Sequence, residues 1–336
     1  MKMNRIIAVI LCLAALACSC SKQESVQDPV AGKQIRVMFS PGGIGDQGYN
    51  DLILAGFQKL RMDRSDVSLI FHMPDSLPQA QEIFTDWLNG ASGGKDELFV
   101  LASSDYESML SEVLEAPGGA GLSDNRQKQI LLMESSNPDS LPVHTLRISI
   151  YGASYLAGIS AAKECGSSPA LVMAANPHDK PVLSAVEGFI DGWTSAGGSQ
   201  IDTVCMANDW TGFIKYEEAY SRMDEWSRKY GFIFPVAGGT NNGIYKYLRE
   251  NQSQMKTAGM DVDQSYLCAD IIGSVLKHID KLVYDAISEW IDDGSIRERS
   301  FCGLAEGYSE WLCDVKADSA MVEKAIKLEN DYEEGR

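Results

Sequence analysis

The chain has 336 residues, with 47 acidic against 29 basic side chains and a net charge of -18. That balance excludes a nucleic-acid-binding surface and an electrostatic hold on anionic lipid. Beyond residue 34 the chain is long enough for two α/β lobes and too long for a single core.

The N-terminus opens with Lys2 and Arg5, followed by the apolar run IIAVILCLAALA. The run has the length of a signal-peptide core and is too short to stay in a bilayer as a spanning helix. Cys18 follows Ala15, Leu16 and Ala17, so it reads as a lipoprotein cleavage and acylation site, with Cys20 as the alternative. The plainer reading is a secretory signal with incidental cysteines. Residues 1–18 are therefore expected to be a lipoprotein signal peptide, and 19–34 a flexible tether without apolar periodicity. The protein is expected outside the cytoplasm in a bacterial envelope, held to a membrane by acyl chains such as palmitate.

Apolar runs then alternate with helical patterns. Strands are expected at 35–40, 67–72, 97–102, 129–134, 144–149, 169–174, 200–206, 232–237 and 257–261. Helices are expected near 51–62, 78–90, 105–115, 152–164, 181–196, 214–229 and 241–250. Repeated βαβ order predicts parallel sheets, with any ligand at the carboxyl ends of the strands. From Tyr266 to Asp292 the spacing of Ile271, Val275, Ile279, Leu282, Val283, Ile287 and Trp290 reads as one long helix. A hairpin, FCGLAEGYSEWLC, and an acidic helical tail follow. Its Cys302 and Cys313 are placed to bridge in an oxidising compartment, although Cys165, Cys205 and Cys268 make the body's set odd and unlike a disulfide framework or a zinc site.

The stretch SPGGIGDQGYN, residues 40–50, carries Gly43-x-Gly45-x-x-Gly48 between a strand and a helix, which is the dinucleotide fingerprint. The acid that should follow the second strand is late, at Asp75 behind Pro74, and an exported protein meets little free dinucleotide. The glycines then serve either as a plain turn or to present Tyr49 and Asn50, an aromatic face and an amide, to a neutral polar ligand. Four more strand-end segments carry polar or aromatic residues: MESSN, NDWTGFIKYEEA, VAGGTNNGIYKYL and AGMDVDQSYL.

In order along the chain, GGIGDQGYNDLILAGFQKL, YLAGISAAKE, FPVAGGTNNG and GMDVDQSYL followed by HIDKLVYDAI resemble the basic membrane lipoprotein family. These are extracytoplasmic substrate-binding proteins of ABC transporters, related to purine-nucleoside receptors. The resemblance implies a type I periplasmic-binding fold, α/β, with two Rossmann-like lobes, a three-segment hinge and a ligand between them. The expected lobes are 35–148 plus 266–298, and 149–265 plus 299–330.

The resemblance also implies site roles: Tyr49 and Trp210 as opposed aromatic faces, Asn50 on a base or sugar edge, and Asp261 accepting from ribose hydroxyls. It further implies Lys277 as a cleft lysine, Gly239 as a backbone donor with Gly238 and Thr240 beside it, and Glu134 where the family tends to have Asp. Taken alone, Tyr49 reads as a helix-start staple, Trp210 as a surface or core aromatic, Asp261 as an N-cap and Lys277 as a solvated helix face. Ser40 stands where the family commonly has Asp, Tyr49 where it has Phe, and Asn241 where it has Gly. Ser40 is therefore where the ligand is expected to differ.

No catalytic motif appears, and neither cofactor nor metal is expected. The function so read is capture of a small polar ligand, a purine nucleoside or a related compound, for an ABC permease by hinge closure. The alternative is a sensory or repurposed lipoprotein with a different ligand or a protein partner.

Overall fold

The computed structural model describes residues 32–90, 96–115, 127–135, 141–251, 253–297 and 301–335. The residues expected to form a signal peptide, Cys18 and Cys20, and nearly all of the expected tether lie outside these. Lys33 already begins the first strand, two residues earlier than expected. Among the described residues, no helix is long and apolar enough to cross a membrane.

The first lobe is a parallel sheet built from β1 (Lys33–Phe39), β2 (Val67–His72), β3 (Glu97–Ala102), β4 (Ile130–Met133) and β5 (His144–Leu146), in the order β2-β1-β3-β4-β5. β3 and β4 are buried along their whole length, as expected of central strands covered on both faces. Helix α1 (Tyr49–Asp63) buries Ile53, Gly56, Phe57 and Leu60, one face at helical spacing. Helix α2 (Leu77–Asn89) starts where Ser76 accepts from the Gln79 amide, with Pro78 in the first turn where no N–H is needed. Helix α3 (Glu107–Glu115) completes the lobe as described.

The second sheet runs β11-β10-β9-β8-β6-β7, formed by β6 (Ala170–Ala174), β7 (Ile201–Cys205), β8 (Phe232–Val236), β9 (Lys256–Asp261), β10 (Ile271–Lys277) and β11 (Ser309–Cys313). β11 is antiparallel and the others are parallel. Helices α4 (Tyr151–Cys165), α5 (Lys180–Ser195), α6 (Tyr216–Lys229) and α7 (Asn241–Glu250) connect them.

The late segment is two elements where one helix was expected. Ile271–Lys277 is β10 in the second sheet, and only Ile279–Asp293, α8, is helical. A strand covered on both faces shows no alternation, so its apolar residues fall at helical spacing by chance. Residues 271–277 therefore belong to the second sheet and not to the first lobe. Helix α8 does pack on the first lobe: Lys33 donates to the Trp290 carbonyl at 2.7 Å, and Arg64 pairs with Asp292 at 2.9 Å. Gly56 makes this approach possible, since a Cβ there would lie 2.6 Å from the Asp280 carbonyl oxygen.

The chain passes between the lobes near Ile148, near His278 and before Cys302, and Ile148 and Cys302 form a parallel bridge. The expected hairpin is absent, because β11 pairs with β10, and Cys302 and Cys313 are not joined. The last helix, α9 (Ser319–Glu333), lies behind these crossings. Glu329 accepts from the amides of Gly152 and Leu304, and Glu333 pairs with Arg147 at 2.6 Å.

Candidate functional site

The carboxyl ends of both sheets face one cavity of about 340 Å³ between the lobes. The switch points of the two sheets lie there, where β1 adjoins β3 and β6 adjoins β8, the position at which doubly wound sheets bind ligands. All eight residues nominated from the sequence line it. Ser40, Tyr49, Asn50 and Glu134 come from the first lobe, and Trp210, Gly239, Asp261 and Lys277 from the second.

The glycine loop leaves no room for a pyrophosphate. Gly43 and Gly45 take positive φ, and the amides they turn inward are already bonded. Asp51 accepts from the amides of Gly45 at 2.6 Å and Gln47 at 2.9 Å. Asp46 accepts from Gly48 at 3.0 Å and Asn50 at 2.9 Å. Two carboxylates thus occupy the anion-binding end of α1, where a phosphate would sit in a dinucleotide site. Gly48 serves a different need: a Cβ there would meet the Asp261 carboxylate at 3.1 Å.

Ser40 and Asn50 are tied to each other. The Ser40 hydroxyl lies 3.0 Å from Asn50 Nδ2 and 3.2 Å from its Oδ1, and Asn50 Nδ2 also donates to Asp46 at 3.1 Å. The amide of Asn50 is therefore committed inside the first lobe.

Glu134 and Lys277 cross the interlobe boundary as an ion pair of 2.6 Å, each only 4% exposed. The second Glu134 oxygen accepts from the Ile148 amide at 3.3 Å. Burial raises the Glu134 carboxyl above its ordinary range, and the Lys277 ammonium pulls it back down. The same ammonium lies 5.0 Å from the centre of the Tyr49 ring, within cation–π reach. The Tyr49 hydroxyl is buried with no hydrogen-bond partner among the described residues. Burial, with the carboxylates of Glu134, Asp179, Asp261 and Asp105 around it, raises the phenol well above its usual value and keeps it a neutral donor.

Asp261 ends β9 with a φ of 69°, and Glu134 directly follows β4 with a φ of 63°. Left-handed backbone at a non-glycine residue carries strain of order 1–3 kcal/mol and tends to mark functional sites. Burial pushes the Asp261 carboxyl up to about 6, with Lys277 opposing and Asp46 and Glu134 adding to the rise.

Asp105 after β3 and Asp179 before α5 also line the cavity and were missed by sequence reasoning, while Phe213, Ile214 and Tyr216 beside Trp210 lie in the NDWTGFIKYEEA segment singled out above. Burial and then the Asp179 charge push Asp105 up to about 6. Their position at strand ends was the available signal, but no motif marked them. Asn241 is structural, its Oδ1 accepting from the Ala237 amide at 3.0 Å, while its neighbour Asn242 reaches the cavity. Thr240 likewise bonds the Gly212 carbonyl at 2.8 Å and is buried outside the lining.

The model of a family described as ABC transporter substrate-binding protein PnrA-like matches residues 33–330. Basic membrane protein C of Borreliella burgdorferi, strain N40, is 36% identical over 109 residues, which is 30% of this chain and 30% of that protein. The chain thus aligns with under a third of that relative's length. A solute-binding protein of an ABC transporter system from Aeropyrum pernix K1 superposes with a TM-score of 0.64 at 19% identity, over 89% of this chain and 86% of that one. GanP, a glucose-galactose binding protein from Geobacillus stearothermophilus, gives 0.60 at 14% identity, over 85% and 99%. A periplasmic component of a sugar transport system from Hahella chejuensis gives 0.62 at 14%, over 84% and 100%. At such identities the likeness establishes the fold, the two-lobed type I periplasmic-binding architecture.

Proposed function

The chain belongs to the PnrA-like family of ABC transporter substrate-binding proteins, which are solute binders and not enzymes, and from that premise we propose that its interlobe cleft captures a purine nucleoside or a related small polar compound for a membrane permease. Acyl chains on Cys18, or on Cys20, hold the protein to the membrane outside the cytoplasm. The observation that supports this most is the convergence of eight residues, scattered from Ser40 to Lys277 in sequence, on one cavity whose size suits a single small ligand.

Closure of the lobes brings Tyr49 and Trp210 toward the two faces of a planar ring, where stacking and area burial give affinity. Asp261, ionised above about pH 6, accepts from sugar hydroxyls through charge-assisted bonds. Glu134 fixes the Lys277 ammonium, and the loop at Gly239 offers backbone amides. Among the described lining residues, Asp261 has no hydrogen-bond donor of its own, and the one cation, Lys277, is already paired with Glu134, which suits a ligand that brings donors.

One observation favours the second reading, a sensory or repurposed lipoprotein with a non-nucleoside ligand. The Asn50 amide, which would read a base edge, is already bonded to Ser40 and Asp46. A thermal-shift screen of nucleosides, bases and sugars separates the two. A ligand at a hundred times its Kd stabilises by about 2.7 kcal/mol, a rise of several degrees. A rise with nucleosides supports the first reading; a rise only with sugars or other solutes supports the second.

A further inference from the structure

Two side chains outside every recognised motif meet across the cleft. Ser104 opens the 3-10 turn (Ser104–Tyr106) after β3 in the first lobe, and its hydroxyl donates to Asp179 Oδ2 in the second lobe at 2.5 Å. Each partner is fixed by its own lobe. Asp179 is the N-cap of α5: its Oδ1 accepts from the Val182 amide at 3.0 Å, and its own amide donates to the buried Asn176 at 3.0 Å. The turn bearing Ser104 is held by Ser103, whose Oγ accepts from the Asp105 amide at 3.2 Å and donates to its carboxylate at 2.8 Å.

The bond between Ser104 and Asp179 therefore adds nothing to either lobe alone. It exists only when the lobes are together. Elsewhere along the cleft, Gln264 Nε2 donates to the Gln47 carbonyl at 3.3 Å. Gln264 is set within the second lobe by Tyr245 at 2.8 Å and the Met260 amide at 2.9 Å. Both contacts join the same two lobes through protein groups alone.

We propose that Ser104 and Asp179 form a closure latch that sets the open-to-closed ratio of the two lobes and, through it, the apparent affinity for whatever solute fills the cleft. The inference rests on the hinge-closure reading above but not on the identity of the solute. Asp105, one residue beyond Ser104, also faces Asp179. Without the Ser104 hydroxyl, closure still brings these two like charges near each other, and Asp179 loses the donor it meets across the cleft. Loss of a hydrogen bond to a charged group shifts such an equilibrium by about tenfold. The apparent Kd follows the closed fraction, so it rises by roughly two- to tenfold.

The test is small-angle X-ray scattering of the ligand-free wild type and Ser104→Ala, with a thermal melt to establish that the variant folds. The latch predicts a larger radius of gyration for Ser104→Ala at an almost unchanged melting temperature. Superimposable scattering curves overturn it. Titration with inosine is the second arm: a higher Kd in Ser104→Ala supports the latch, and an equal Kd counts against it. If inosine binds neither protein, the nucleoside reading fails while the scattering comparison still decides the latch.

Discussion

Removing one member of the Glu134–Lys277 pair tests how the cleft is held together. The two groups are 2.6 Å apart and 4% exposed, and Glu134 is the one hydrogen-bonding side chain described for the Lys277 ammonium. Glu134→Ala leaves a buried cation unpaired, a change that costs about 3–5 kcal/mol. Asp261 also faces that ammonium, so the loss belongs at the lower end, about 3 kcal/mol. With an unfolding entropy of about 2.1 cal/mol/K per residue, that loss lowers Tm by about 5 °C. The double variant Glu134→Leu with Lys277→Met removes both charges at similar volume and should recover most of it, because a buried pair replaced by apolar side chains is often neutral or better. Urea unfolding followed by circular dichroism measures both. A single variant within about 0.5 kcal/mol of the wild type, or a double variant no more stable than the single, would refute this account of the pair.

Burial lifts Glu329 from 4.5 to about 7, so between those values the native state holds a proton that the unfolded chain has released, and stability from this group falls as pH rises. Glu329→Gln should remove that slope in Tm measured from pH 4.5 to 7.5, and an unchanged slope excludes the group. In the cleft, Asp261 takes up a proton as pH drops through about 6, so nucleoside affinity should weaken about fivefold between pH 6 and pH 5. Calorimetry showing a flat Kd over that range would remove its carboxylate from the binding contacts. Gly56→Ala should lose about 1–3 kcal/mol, because its Cβ would lie 2.6 Å from the Asp280 carbonyl oxygen; a melt identical to the wild type would contradict the close packing of α1 on α8.

The strands and helices up to Asp261 were legible because most apolar runs are bounded by turn residues and most helices, though not the nearly all-buried α4, have one buried face. The boundary between β10 and α8 was not, because Ile271, Val275 and Ile279 keep helical spacing across a strand end. Residues of the cleft that sit in motifs, such as Tyr49 and Asp261, were found through those motifs. Asp105 and Asp179 were not, since an isolated acid after a strand or before a helix reads as an ordinary cap until the opposite lobe is in view. The glycine fingerprint was real in spacing but misleading in chemistry. Its amides are satisfied by Asp46 and Asp51, two acids inside or just beyond the pattern whose reach along the chain no spacing rule encodes. Ser40 was expected to alter the ligand by standing in for a carboxylate. In the structure Ser40 engages the Asn50 amide, and its bearing on the ligand stays a proposal.

The central claim is that the cleft binds a nucleoside through Asp261, and isothermal titration of inosine and guanosine into the wild type and Asp261→Asn at pH 7.5 tests it most directly. Asparagine tolerates the left-handed backbone that Asp261 adopts, so the variant should fold with little loss of stability. The account predicts saturable binding to the wild type with a negative heat-capacity change, and binding weakened at least about tenfold in Asp261→Asn. Wild-type protein that binds neither nucleoside, or a variant that binds them as tightly as the wild type, would contradict it.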